Sequence, residues 1–242
     1  MNENVKKILK YVGIGLGLAA IVLLFVLLAR KEDKYAKLDP RDIQVPSAVN
    51  GQIGDHVLGG EDTGVVLLEY GDFQCQGCAS ADPRIQALVK EYGDKITFIF
   101  RNFPLTSIHQ NTKAAASAVE AAGLQGKYWE MHVKIYENQE AWFYSGVAKR
   151  TEQFQSYARE LELDMTQFDK DFASSEVTAK INSDLNLGQK DDVSGTPSFF
   201  LNGRALDSKE WGTDVALRKA LDAVINAGSS EDEDTGNTEN KE

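Results

Sequence analysis

Apolar residues fall along this 242-residue chain in runs whose lengths and spacings define its elements. The first run, "YVGIGLGLAAIVLLFVLLA" from Tyr11 to Ala29, has 19 residues and no charge. As a helix it would extend about 28 Å, close to the hydrocarbon thickness of a bilayer. It is read as a transmembrane signal anchor at 11–29, because it is longer than the apolar region of a typical cleaved signal. It also runs into "LLARKEDKY" without a small-x-small cleavage pattern. Lys6, Lys7 and Lys10 precede the run, while Arg30, Lys31, Lys34 and Lys37 follow it. Positive charge therefore does not choose an orientation.

After the run the pattern turns polar. Ala36 to Gly64 is rich in Pro, Gly and Asp, which predicts a linker over 30–50 and then a peripheral hairpin or loop. "VVLLEY", Val65 to Tyr70, is a continuous apolar run of strand length, as expected for a strand buried on both faces of a parallel or mixed sheet. Ile85, Leu88, Val89 and Tyr92 then recur at helical spacing until Gly93. "ITFIFRNF", Ile96 to Phe103, completes a β-α-β unit with a right-handed crossover.

From Ser107 to Lys190 the pattern is helical throughout. Ala114 to Ala122 is strongly helix-forming; Trp129, His132, Val133 and Tyr136 share one face, and Phe154, Tyr157, Ala158 and Leu161 another. Val177, Ile181 and Leu185 mark a last helix. "PSFFLNGRAL" then predicts two short strands around an Asn202-Gly203 turn. Leu217, Leu221, Val224 and Ile225 close the pattern with an amphipathic helix. The domain predicted over 51–228 is α/β, ordered β-α-β, helical insertion at 107–190, β-β-α.

Composition adds two points. Hydrophobic residues make up 42% of the chain, enough to fill one sizeable core. Of the net charge of −11, the tail 229–242 supplies −5 with six acids and one lysine, and it has no apolar residue to bury, so that tail is expected to be disordered. No basic surface of the kind that binds phosphate backbones is present, which argues against a nucleic-acid partner.

The candidate chemistry lies in "GDFQCQGCAS", which holds both cysteines of the chain, Cys75 and Cys78. A structural metal site needs four ligands, and His56, His109 and His132 are scattered. No metal or other cofactor is expected. As a structural disulfide the pair would close too small a loop to restrict the unfolded chain much. At a strand-to-helix turn, however, Cys75 would lie near unpaired N–H groups and the positive end of the helix dipole. Both lower a thiol's pKa. Cys78, one turn on, could then attack a mixed disulfide formed on Cys75.

"LLEYGDFQCQGC", "HQNTKAAASAVEAAGLQGKYWEMH" and "VSGTPSFFLNG" together resemble the DsbA-like thiol:disulfide oxidoreductases of the thioredoxin superfamily, including membrane-anchored bacterial forms. The resemblance covers Gly51 to Ala227. It implies a thioredoxin-like fold with an inserted helical subdomain, here preceded by one transmembrane helix. It also implies that Cys75 is the exposed nucleophile and Cys78 the resolving thiol. Pro197 would be the family's cis-proline, Thr196 the position that pairs with an extended substrate segment, and Pro83 a helix-kinking proline. Glu69 would be the buried acid beneath the site, raised in pKa and moving the Cys78 proton; a strand-end glutamate facing solvent is the alternative.

The sequence departs from the family between the cysteines. Many strong oxidants carry a proline and a histidine or aromatic residue there, whereas Gln76 and Gly77 bring no positive charge. Thiolate stabilisation would then rest on the helix terminus and backbone, with redox strength depending on it. His109 could line the substrate face or be structural, and His132 reads as core. Trp129, Tyr136, Trp142 and Phe143 form either a peptide groove or, as aromatic stripes usually do, core.

The expected function is introduction of disulfides into unfolded or reduced exported proteins. A reductase or isomerase of the same fold, a chaperone or binding module, and a metal carrier are the alternatives. A membrane quinone-linked thiol oxidase is the recycling partner that the resemblance implies. Since disulfide donors work in oxidising compartments, the expected location is the cell membrane. The domain would face the extracytoplasmic side and residues 1–10 the cytoplasm.

Overall fold

The computed structural model describes residues 2–3 and 39–235, with side chains as far as Ala227. The chain divides into a unit Met1–Lys37 and a unit Leu38–Glu242. The predicted span at 11–29 lies outside the described residues, and among those described no helix is long and apolar enough to cross a membrane.

The sheet grows from the two longest apolar runs. Strands β2 (Val66–Gly71) and β3 (Thr97–Asn102) pair in parallel. Helix α1 (Gln76–Tyr92) connects them as predicted. Strand β4 (Ser198–Leu201) pairs antiparallel with β2, and β5 (Arg204–Ala205) with β4. The turn between them has positive φ at both central residues, 47° at Asn202 and 74° at Gly203, the geometry that favours Asn-Gly in a two-residue hairpin. The Asn202 side chain accepts from Val66 N (2.7 Å) and donates to Gly64 O (2.9 Å), fixing the hairpin to the start of β2.

One strand is new. β1 (Val57–Gly59) adds antiparallel to the free edge of β3, giving the order β1-β3-β2-β4-β5. Three residues are too few for their periodicity to distinguish a strand from the hairpin or loop expected there.

The predicted helical insertion becomes α2 (Thr112–Gly123), α3 (Tyr128–Glu137), α4 (Gln139–Trp142), α5 (Val147–Glu160), α6 (Met165–Phe172) and α7 (Ser175–Lys190). Helices α8 (Ser208–Trp211) and α9 (Asp214–Thr235) follow the hairpin. Side chains alternate across the central strand. Leu67 joins the large core with Ile85, Leu88, Phe100, Val119 and Phe199. Leu68 and Tyr70 point the other way and pack with Ile99, Phe103, Leu187 and Phe200. By the same alternation Glu69 shares the face of Leu67, the face that α1 covers.

Two expectations are corrected. Residues 39–50, expected as linker, are fastened to the domain: Arg101 on β3 donates to Pro40 O at 2.5 Å and to Asp42 O at 2.6 Å. Gln44 and Asn50 are buried there with their amides bonded to nearby backbone. Such local polar bonding leaves no trace in a hydropathy pattern. At the other end, α9 runs to Thr235, seven residues into the tail expected to be unstructured. Extending an existing helix needs one backbone bond per residue and no apolar face; residues 236–242 lie outside the described residues.

A buried charge cluster joins the N-terminal segment, β3 and α7. Lys180 Nζ lies 2.9 Å from Asp55 Oδ1 and 2.7 Å from Asp184 Oδ1, and Arg101 lies 2.7 Å from Asp55 Oδ2. Although burial opposes it, Lys180 and Arg101 hold the Asp55 carboxyl well below its usual range. Burial pushes Asp184 the other way, up to about 6.

Candidate active site

The strand-helix turn after β2 carries both cysteines. Cys75 is the N-cap of α1, with extended backbone at φ −76° and ψ 122°, and no side chain caps the helix. The unpaired N–H groups of its first turn are therefore open to the Cys75 sulfur. Cys75 is half-buried, Cys78 is completely buried, and both are free thiols.

The two sulfurs are held in opposite states. A hydrogen bond from Cys78 leads the stabilisation of the Cys75 thiolate. Burial opposes it, and Thr196 and the backbone at Cys78 and Gly77 add to it, so that the Cys75 pKa falls to about 5. Burial pushes the Cys78 thiol well up, reinforced by its bond to Cys75 and by the charge of Glu69. One sulfur is thus an accessible thiolate at neutral pH and the other a shielded thiol, the division of labour that thiol-disulfide exchange requires.

The other predicted residues gather around this pair. The Thr196–Pro197 peptide bond is cis, and Thr196 O lies 3.4 Å from Cys75 Sγ. Gly77 sits against Pro197: a Cβ there would lie 3.3 Å from Pro197 Cδ and 3.6 Å from Cys75 Sγ. The glycine keeps the approach between the two open. Gln76 is exposed and brings no charge to the thiolate's environment, and Pro83 lies on the exposed side within α1.

Glu69 is 3% exposed, which excludes the solvent-facing alternative. Burial, then the Asp82 carboxylate, then Cys75 push its pKa well up, while a hydrogen bond with Cys78 acts against them. Of the aromatic candidates, Trp142 and Tyr136 are core, and Trp129 packs against it with its indole N–H on Val57 O. Trp129 and Phe143 are left partly exposed.

Several supporting residues were not foreseen. Asp72, fully buried, accepts from Gln74 N (2.7 Å), Leu105 N (2.8 Å) and Thr112 Oγ1 (2.5 Å), with His109 Nδ1 at 2.9 Å. That places His109 in a structural role beside the turn. Gln139 donates to Phe73 O at 2.9 Å and Cys75 O at 3.2 Å, tying the turn to α4. Asp82 lies one helical turn after Cys78 and is held by His132 Nε2 at 2.9 Å. Its signal was in the spacing, because 78, 82, 85 and 89 share one helix face and an acid on such a face is anomalous. Among the described residues, no group of three His, Cys, Asp or Glu side chains could hold a metal ion.

This geometry agrees with what the chain is similar to. A family model described as thioredoxin matches residues 52–223. The chain belongs to the thioredoxin family. Among solved structures, a thioredoxin-like oxidoreductase from Silicibacter pomeroyi is 30% identical with a TM-score of 0.59; the match covers 71% of this chain and 92% of that one. BdbD from Bacillus subtilis superposes with a TM-score of 0.61 at 20% identity, covering 76% of this chain and 97% of that one. For alpha-DsbA1 from Wolbachia pipientis the values are 0.61, 20%, 73% and 94%. These thioredoxin-family likenesses place the fold with DsbA-like proteins.

Curated relatives in sequence carry a different name. A Na(+)/H(+) antiporter NhaA 1 of Salinispora arenicola is 37% identical over 150 residues, 62% of this chain and 22% of that one. An NhaA 1 of Mycolicibacterium gilvum is 32% identical over 211 residues, 85% of this chain and 33% of that one. The chain therefore spans only about a fifth to a third of the length of these relatives.

Proposed function

We propose that the protein is a thiol:disulfide oxidoreductase that introduces disulfides into reduced exported proteins through Cys75 and Cys78. The observation that carries this reading is the pairing of a half-exposed Cys75 thiolate with a fully buried Cys78 thiol. Starting from the oxidised pair, a substrate thiolate attacks Cys75. The Cys75–Cys78 bond breaks, a mixed disulfide forms, and Cys78 leaves as a thiolate that takes a proton from Glu69. A second substrate thiolate then attacks the substrate sulfur. The substrate departs with its disulfide, two electrons remain on the enzyme, and Cys75 leaves as the stabilised thiolate. In this reading Thr196, whose carbonyl oxygen lies 3.4 Å from Cys75 Sγ, pairs with the substrate backbone.

Net oxidation is supported by the Cys75 thiolate. A reduced form stabilised in this way makes the disulfide more oxidising. With only two cysteines in the chain, re-oxidation needs an external acceptor, for which a membrane quinone-linked thiol oxidase is proposed from the family likeness. The proposed location is the cell membrane, with the domain on the extracytoplasmic side. Homologous segments within proteins named as antiporters support a domain that works at a membrane.

Transfer from the oxidised protein to a reduced, unfolded substrate tests the activity: the parent should generate substrate disulfides, and Cys75→Ser should not. Equal transfer by both would remove the assignment. Proteolysis of intact cells tests the topology, since a domain protected until lysis contradicts an outward-facing one.

A further inference from the structure

Beneath the cysteines lies a buried polar pair that the exchange chemistry described above does not use. Asp82 projects from α1 one turn after Cys78 and is 6% exposed; His132 projects from α3 and is 1% exposed. His132 Nε2 is 2.9 Å from Asp82 Oδ1, and Gln86 Nε2 donates to the same oxygen at 3.2 Å. The imidazole is enclosed by the rings of Phe73, Phe100, Trp129 and Tyr136, at centroid distances of 5.2, 4.7, 5.1 and 5.0 Å. Its Nδ1 is buried without a hydrogen-bond partner. A histidine held by one bond and an aromatic cage is costly to bury.

The carboxylate's charge acts on Glu69, where it is the strongest like charge, ahead of Cys75. The other titratable groups facing Glu69 are Cys75, Cys78 and Arg84 from the α1 side, and Tyr128 and Tyr136 from α3. Its neighbours across the sheet are apolar, Phe100 on β3 and Phe199 on β4. Near Glu69 the sheet thus supplies no compensating cation.

We propose that Asp82 and His132 are positioning residues for the exchange reaction: Asp82, anchored by His132, keeps a proton on Glu69 so that it can be delivered to the Cys78 sulfur. The proposal rests on the exchange reading for its consequence. When the Cys75–Cys78 bond breaks, the departing Cys78 sulfur takes the proton and Glu69 is left ionised beside Asp82. On re-oxidation the Cys78 thiol returns its proton to Glu69 as the S–S bond re-forms. Two like charges cannot both be held cheaply in one buried site, so the charge on Asp82 keeps Glu69 protonated until the S–S bond breaks and favours the proton's return on re-oxidation.

The test is a titration of the Glu69 side-chain carboxyl carbon by NMR in the full reduced chain, assigned with Glu69→Gln, for the parent, Asp82→Asn and Asp82→Glu. The Asn variant should titrate lower by about one pH unit, the size of effect a neighbouring charge has on a buried group. The Glu variant should stay with the parent. The alkaline limb of the exchange rate profile should move down by the same amount in Asp82→Asn. His132→Gln should shift the Glu69 midpoint in the parent and have no effect in Asp82→Asn. An unchanged midpoint in Asp82→Asn, or an equal effect of His132→Gln with and without Asp82, would overturn the proposal. A parent that titrates as described but exchanges no disulfides would instead reject the functional reading and leave the coupling standing. Should Asp82→Asn fail to fold, Asp82→Glu and His132→Gln decide the matter: a parent-like midpoint in the first and a shifted one in the second are expected, and the reverse overturns it.

Discussion

Replacing Cys78 with Ala removes the leading stabiliser of the Cys75 thiolate without touching the helix terminus. The Cys75 pKa is about 5, and the Cys78 hydrogen bond is its largest cause, ahead of Thr196 and the backbone N–H groups. A hydrogen bond to a charged group is worth about 1.5–3 kcal/mol, which is roughly one to two pKa units. Cys75 is half-buried, and solvent screening favours the lower end of that range. The midpoint should therefore rise by about one unit in Cys78→Ala, so that at pH 6 the thiolate fraction falls from about nine-tenths to about half. Thiolate absorbance in the ultraviolet, titrated between pH 3 and 10, reads this directly, and the rate of iodoacetamide alkylation at pH 6 checks it. Cys78→Ser keeps an O–H donor and should move the midpoint less. An unchanged midpoint in the Ala variant would refute the reasoning and assign the low pKa to the helix N-terminus alone.

Two further perturbations probe the groups behind the site. Glu69→Gln keeps the shape but cannot carry the proton, and disulfide transfer near neutral pH should slow by roughly ten- to a hundredfold, at or below the low end of general acid catalysis; stopped-flow transfer assays measure it. Because the folded protein raises the Glu69 pKa, the parent should lose stability as pH rises above about 4.3. Glu69→Gln should lack that loss in denaturant unfolding across pH. Lys180→Met leaves Asp55 and Asp184 buried without their shared cation. It should cost about 3–5 kcal/mol in urea unfolding, as breaking a buried pair does.

The parts of the fold legible in the sequence were those written in local pattern. The buried runs at Val65–Tyr70 and Ile96–Phe103, the Asn202-Gly203 turn and the helical block each used a local signal strong enough to survive packing. Strand β1 and the fastened segment 39–50 did not, because their stability comes from Arg101 and the edge of β3, residues distant in sequence. At the site, Cys75, Cys78 and the cis bond at Pro197 were legible through motif and likeness. Asp72 and Gln139 were not, and Asp82 showed only as an acid on an otherwise apolar helix face. Each acts through a partner from another element, namely Thr112, the Cys75 carbonyl and His132, and one sequence does not state such pairings. The Glu69 alternatives were separated only by burial, which alternation in β2 determines once α1 is known to cover that face.

The equilibrium potential of the Cys75-Cys78 pair against glutathione tests the central claim most directly. A Cys75 pKa of about 5 lies between those of thioredoxin, about 7, and DsbA, about 3.5. The account therefore predicts a potential between about −270 and about −120 mV, together with transfer of the disulfide to a reduced substrate. A potential at or below about −270 mV with no such transfer would contradict it.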